Sequence, residues 1–324
     1  MKYTYSKKVL RNRYLLRGNS KMLLTTSLLF LAAVSTGIAK ECNELSDELI
    51  EEIANWSNSL PLLVEQDEKR RKDLANFEKI DDINELRDFY YKTVTQTSQT
   101  SCTVLRRFGG RWLSPCGFLD GEKMVCMDSL FDAVQRGKCL VYSFGLGDDW
   151  DFEESMAKLG CTVRAFDPNV KRPSSLHENV HFKALGLGGS SGKLKNGAPD
   201  GTTRMMDVMT LSESMKLFGD EAKEITYLKV DVEGAEFLAL PQMIESGIFS
   251  QVRQMGIEMH TGSNNLNKKA VMKHLNASLS AFKTLQEKFG FRLIAYNANG
   301  CMGKKYCLSR TYHNYHDIVF YKPH

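Results

Sequence analysis

No stretch of the chain repeats another, no low-complexity block interrupts it, and its eight cysteines never fall as Cys-x-x-Cys. That last absence, with the lack of a partnered His pair, excludes the usual zinc-ligand spacings. A broad basic field is missing as well. Of the 43 Lys and Arg, seven (Lys2, Lys7, Lys8, Arg11, Arg13, Arg17 and Lys21) crowd into the first 21 residues, where there is no acid. The rest of the chain, holding all 39 Asp and Glu, is therefore mildly acidic. Such a body does not attract a polyanion, and no nucleic-acid partner is expected. What remains is a globular chain of 324 residues, 42% of them hydrophobic. That is enough for one large α/β domain with an extension, or for two modest domains.

Residues 22–39 run MLLTTSLLFLAAVSTGIA without a charge, between Lys21 and Lys40. The length falls between a signal-peptide core and a spanning helix, and Gly37 and Ala39 form a small-x-small pattern suited to signal peptidase. The positive flank comes first, which leaves the N-terminus in the cytosol and sends residues 40–324 into the secretory lumen. The long basic lead favours a type II anchor in the ER or Golgi membrane over a cleaved leader and secretion. An oxidising lumen permits disulfides. They are expected within the group Cys102, Cys116 and Cys126 and within the pair Cys301 and Cys307. Cys139 and Cys161, beside apolar strands, read instead as small buried hydrophobes. Asn55-Trp-Ser57 and Asn276-Ala-Ser278 are glycosylation sequons usable only in that compartment.

Past the leader, residues 41–98 read as a helical stem in which Leu74, Phe77, Ile80, Ile83, Leu86 and Phe89 recur every third position. That spacing drifts around a helix of period 3.6, so it suits a short stem or a helix packed on the main domain better than a long coiled coil. Residues 99–136 form a cysteine-containing lead-in whose RRFGGRW segment is either a flap over an acceptor or a disulfide-tethered structural piece. From 137 to 324 apolar runs alternate with helical ones. Strands are predicted at 139–144, 162–166, 180–185, 225–230, 252–259, 291–296 and 317–321, and helices at 152–159, 237–246 and 268–289. The Gly- and Ser-rich stretch 186–201 reads as a flexible loop. Alternation of this kind predicts a Rossmann-like α/β fold, a seven-stranded mostly parallel sheet with an antiparallel last strand.

Ligands of such sheets bind beyond the C-terminal strand ends, closest to the loop after the first strand. Here that loop is Ser143-Phe144-Gly145-Leu146-Gly147-Asp148-Asp149, with Asp167 at the end of the second strand, where a ribose presents its hydroxyls. A dinucleotide pyrophosphate needs a third glycine and a bare positive helix end, which Asp148 and Asp149 would oppose. A sulfonium nucleoside with an ammonium gains from them. S-adenosylmethionine is therefore the expected cofactor rather than NAD, contacted by Ser143, Gly145, Gly147, Asp148 and Asp167. The fourth strand ends in Asp231, Glu233 and Glu236, and the fifth in Glu258 and His260. Asp231, His260 and Glu258 are the catalytic candidates, with His260 as general base because imidazole titrates near neutrality. No metal is expected. The lesser version has Asp231, Glu233, Glu258 and His260 holding a hard divalent cation.

The run LKVDVEGAE (228–236) resembles FkbM-type methyltransferases. The runs YSFGLGDD (142–149) and GCTVRAFDP (160–168) resemble the secretory branch of the methyltransferase-like (METTL) family, a likeness that extends over residues 88–324. The resemblance implies a class I methyltransferase fold with S-adenosylmethionine as donor. It places Gly145 and Gly147 along the methionine and ribose moieties, Asp167 on the ribose hydroxyls and Asp231 facing the reacting centre. Ser143 stands where the fuller motif has an acid, and Asp149 where it has a third glycine. A secretory location suggests O-methylation of a glycan hydroxyl, with protein or small-molecule acceptors as the alternatives and the membrane as a partner through an uncleaved leader. The competing expectation is a secreted binding protein that keeps the fold without turnover.

Overall fold

The computed structural model describes residues 72–98, 101–113, 118–170, 177–197, 203–262, 267–298 and 313–323, with residues 61, 63–66, 68 and 69 ahead of them. The leader, Cys42, Asn55, Cys116, Cys301 and Cys307 lie outside the described residues.

A 3-10 turn at Leu74–Lys79 precedes helix α1 (Ile83–Thr95), whose N-cap Asp82 accepts from the amides of Asn84 and Glu85. The every-third apolar spacing has its reason here. Three residues per turn is 3-10 geometry, so Leu74 and Phe77 face one way, and Leu86, Tyr90 and Val94 continue that face on α1. All five are buried in the same core as the main sheet, so this segment packs on the domain. Short strands β1 (Leu105–Phe108), β2 (Arg111–Leu113), β3 (Phe118–Asp120) and β4 (Lys123–Cys126) follow, pairing as β1 with β4 and β2 with β3. They lead into helix α2 (Met127–Gln135).

The central sheet uses β5 (Leu140–Phe144), β6 (Thr162–Phe166), β7 (Val180–Lys183), β11 (Tyr227–Val230), β12 (Gln254–His260), β13 (Arg292–Ala298) and β14 (Tyr315–Tyr321). Between β7 and β11 come the short strands β8 (Gly186–Leu187), β9 (Gly192–Gly197) and β10 (Thr203–Met209). The order across the sheet is β13-β14-β12-β11-β5-β6-β7, with β14 antiparallel to both neighbours and the pairs from β12 to β7 parallel. Helices α3 (Asp151–Lys158), α4 (Leu211–Phe218), α5 (Glu236–Glu245) and α6 (Lys268–Phe289) complete the fold. The chain winds outward from β5 to β7 and then returns to the other side of β5 at β11. The order reverses between those two strands, which is where a doubly wound sheet opens a crevice.

Side-chain alternation along β5 assigns the layers. Leu140, Tyr142 and Phe144 enter the core beneath α1, α5 and α6, whereas Val141 enters the opposite core with Phe152 and Met156 of α3. Gln254 of β12 fixes the lead-in to the sheet, accepting from the amide of Cys126 at 2.8 Å and donating to its carbonyl at 2.8 Å.

Three expectations are corrected. Cys139 and Cys161 are joined by a disulfide, with Cα atoms 4.5 Å apart, because parallel neighbours β5 and β6 bring their preceding residues side by side. The Cys102 group does form a bond, Cys102–Cys126. Within the expected loop 186–201, residues 186–197 form strands β8 and β9 with a short link, and 198–201 lie outside the described residues. The glycines permit close pairing, Gly186 with Val208 in parallel and Lys193 to Asp207 and Leu194 to Met206 in the β9–β10 hairpin. The sequon at Asn276 lies inside α6, with Ser278 buried and its hydroxyl donating to the His274 carbonyl, so the folded chain does not present it as an acceptor loop.

One buried group sets a pH limit on this fold. His316 on β14 is enclosed by Tyr90 and Tyr91, with its Nδ1 3.2 Å from the Tyr296 hydroxyl, and burial, aided by nearby His313, lowers its pKa to about 3. The unfolded chain takes up this proton near pH 6.5 and the folded chain does not. Stability is therefore expected to fall as the pH drops from about 6.5 towards 3, by up to about 1.4 kcal/mol per pH unit from this residue. Denaturant titrations at pH 7 and pH 5 should show His316→Gln with a smaller acid loss than wild type. An equal loss in both would remove His316 as the cause.

Candidate functional site

A cavity of about 770 Å³ opens beyond the C-terminal ends of β5, β6, β11 and β12. Its floor is the glycine loop. Gly145 has φ +82°, and a Cβ there would stand 1.6 Å from the Asp231 carbonyl oxygen, so only glycine lets the loop cross the end of β11. Gly147 also has positive φ, with open space where a side chain would be.

Asp167 holds this loop in shape. One carboxylate oxygen accepts from the amides of Leu146 and Gly147, both at 2.9 Å, and the other from Asn169 at 2.7 Å and Val170 at 3.3 Å. The residue lines the cavity, but its first task is to satisfy four backbone donors at the two loops that frame it. Asp148 also lines the cavity from its exposed rim, 3.5 Å from Arg111 of β2. Ser143 does not line it. Strand alternation turns Ser143 towards α3, where its hydroxyl donates to Glu153 at 2.5 Å. Glu153 reaches the cavity in its place, fully buried, with Lys229 at 3.8 Å. The Lys229 ammonium also donates to the Gly145 carbonyl. Two carboxylate oxygens along this wall, Asp149 Oδ2 and Glu153 Oε2, are buried without a hydrogen-bond partner. Leu187, Leu194, Met206 and Val208 of the β8–β10 arm make an apolar wall, so the segment read as a loop forms one side of the site.

The opposite edge is acidic. After β11 the chain turns through Glu233 at φ +53° and Gly234 at φ +98°, a left-handed pair that a residue with a Cβ seldom enters. Glu236 locks the turn, one oxygen accepting from the Gly234 amide at 2.8 Å and the other from the His260 amide at 2.8 Å and from His260 Nδ1 at 3.1 Å. His260 Nε2 is thereby left facing Glu233 at 3.5 Å and Glu258 at 3.8 Å. Asp231, Glu233, Glu258 and His260 all line the cavity.

These groups do not share charge evenly. Burial opposes ionisation of Asp231, but Lys123 and then Lys229 more than offset it and hold the carboxyl below the usual range. Glu258 is driven well above that range by burial and by the Asp231 charge, so the pair keeps one proton on Glu258. Burial alone would strip His260 of its proton. Glu236, then Glu258 and Glu233, raise it well above its ordinary value instead. The His260 proton is thus held more tightly than on a free imidazole. The Lys123 ammonium, buried on β4, lies 2.6 Å from Asp317 and 3.5 Å from Asp231. It was missed because it comes from the lead-in, and the Lys-Met-Val-Cys strand β4 brings it to the sheet. Lys229 and Glu153 were passed over although both lie in segments already singled out.

Residues 65–312 match the family described as "Methyltransferase domain", and the chain belongs to that family. Its curated relatives include the protein named "Probable methyltransferase-like protein 24" of Homo sapiens, 33% identical over 143 residues, covering 42% of this chain and 37% of that protein. The protein of the same name from Rattus norvegicus is 31% identical over 144 residues, covering 42% of this chain and 38% of the relative. The matched stretch thus spans well under half the length of either. No solved structure matches the chain.

Proposed function

We propose that the chain transfers a methyl group from S-adenosylmethionine to a hydroxyl acceptor, a glycan first among them, in the secretory pathway. One observation carries the donor assignment. The crevice at the switch point is floored by a bare glycine loop and walled by buried carboxylate oxygens with no partner of their own. Such a cavity fits a guest with positive charge at the methionine end and an apolar base, and it disfavours a pyrophosphate. When bound, the donor supplies a methyl on a sulfonium, so the new C–O bond forms as the C–S bond breaks and its electron pair returns to sulfur.

The protein's own contribution is placement and proton handling. Asp231, kept ionised by Lys123, accepts the hydroxyl's hydrogen bond and then its proton. His260, its ring fixed by Glu236, borders the same cavity beside Asp231. The disulfides Cys102–Cys126 and Cys139–Cys161 support an oxidising compartment. Among the described residues no helix is long and apolar enough to cross a membrane, and the charge-free segment at 22–39 lies outside them. Incubating the purified chain with methyl-labelled donor and a glycan panel tests the acceptor. Label on sugar hydroxyls is the expected outcome, and label confined to polypeptide rejects the glycan.

A further inference from the structure

The acidic edge holds a set of groups that donor binding does not use. Asp231, Glu258 and His260 each bring one ligand-type atom to within 4.8 Å of the other two, at the wall of the cavity. We propose that these three residues bind one divalent cation of the Mn²⁺ type, with its remaining positions open to the acceptor hydroxyl. It narrows the four-residue set expected from the sequence to the three whose ligand atoms the fold brings together, and the imidazole is what makes it specific. Two carboxylates suit a hard cation, and one imidazole moves the preference from Mg²⁺ and Ca²⁺ towards Mn²⁺.

The surroundings are those of a ligating histidine. Glu236 engages Nδ1 at 3.1 Å, and its other oxygen is fixed by the Gly234 amide, so the nitrogen turned to the carboxylates is Nε2. A carboxylate behind a histidine is the usual support that orients a metal-bound ring. The donor wall of the same cavity asks for positive charge as well. The buried Glu153 lines it with a carboxylate oxygen that has no hydrogen-bond partner.

The cation's role, lowering the acceptor hydroxyl's pKa so that Asp231 need not act as a strong base, rests on the donor reading. The site itself does not. Titrating the purified full chain with Mn²⁺, followed by loss of the free-ion electron paramagnetic resonance signal, is expected to show one ion per chain. Pulsed spectroscopy of the bound ion should show coupling to one imidazole nitrogen. Glu236→Gln is expected to weaken binding by about 10- to 100-fold through the unsupported ring. Bound Mn²⁺ without nitrogen coupling would overturn the proposal, as would no Mn²⁺ uptake by protein that binds S-adenosylhomocysteine. Mn²⁺ uptake with nitrogen coupling by protein that does not bind S-adenosylhomocysteine would keep the site and reject the donor reading.

Discussion

Gly145→Ala is expected to lower the affinity for S-adenosylhomocysteine by at least about 100-fold, which corresponds to about 2.7 kcal/mol of binding free energy. The added methyl group would stand 1.6 Å from the Asp231 carbonyl oxygen, a backbone atom that cannot rotate away. The loop must therefore lift off the end of β11. Left-handed φ adds about 1–2 kcal/mol for any residue with a Cβ, and the forced shift adds about 1–3 kcal/mol of overpacking. Gly147→Ala makes the comparison sharp. It carries the backbone cost but meets nothing within 4 Å, so it should lose only about tenfold. Equal losses in both variants would show that the contact with Asp231 is not what shapes the floor.

Asp167→Ala is expected to destabilise the fold as well as empty the site. Four amides, those of Leu146, Gly147, Asn169 and Val170, lose their acceptor together. A buried donor left unpaired costs about 1–3 kcal/mol, and water entering a partly open loop recovers some of it, so a net loss of about 3 kcal/mol or more is expected. A residue that only touched ribose would cost affinity and leave unfolding unchanged. Denaturant unfolding without ligand separates the two roles, and an unaltered midpoint would return Asp167 to a ligand contact alone.

The contrast between these residues shows how far the sequence could be read. The sheet was legible because fully buried parallel strands appear as uninterrupted apolar runs, and Thr162–Phe166 and Lys268–Phe289 were placed to the residue. Helix α4 left a readable signal that went unused. The Thr210 hydroxyl caps the helix, accepting from the Glu213 amide and donating to the Glu213 carboxylate, and Gly219 closes it in the left-handed region. The β8–β10 arm was hidden because glycine-rich pairing carries no alternation. In the site, the spacing of Gly145, Gly147, Asp167, Asp231 and His260 pointed to residues that line one cavity at the rim of the sheet. Their division of labour was not visible, since it depends on which face Ser143 presents and on Lys123 arriving from another segment. The direction of the His260 shift in particular is fixed by Glu236, whose carboxylate reaches it only after the turn at Glu233 and Gly234.

A crevice shaped for a cationic nucleoside should bind one. Calorimetry of S-adenosylhomocysteine against the purified, disulfide-intact chain tests it most directly. One molecule bound per chain, lost on Gly145→Ala while wild-type thermal unfolding shifts upward with ligand, is the predicted result. A folded wild-type chain that gives no binding heat and no shift in unfolding would contradict it.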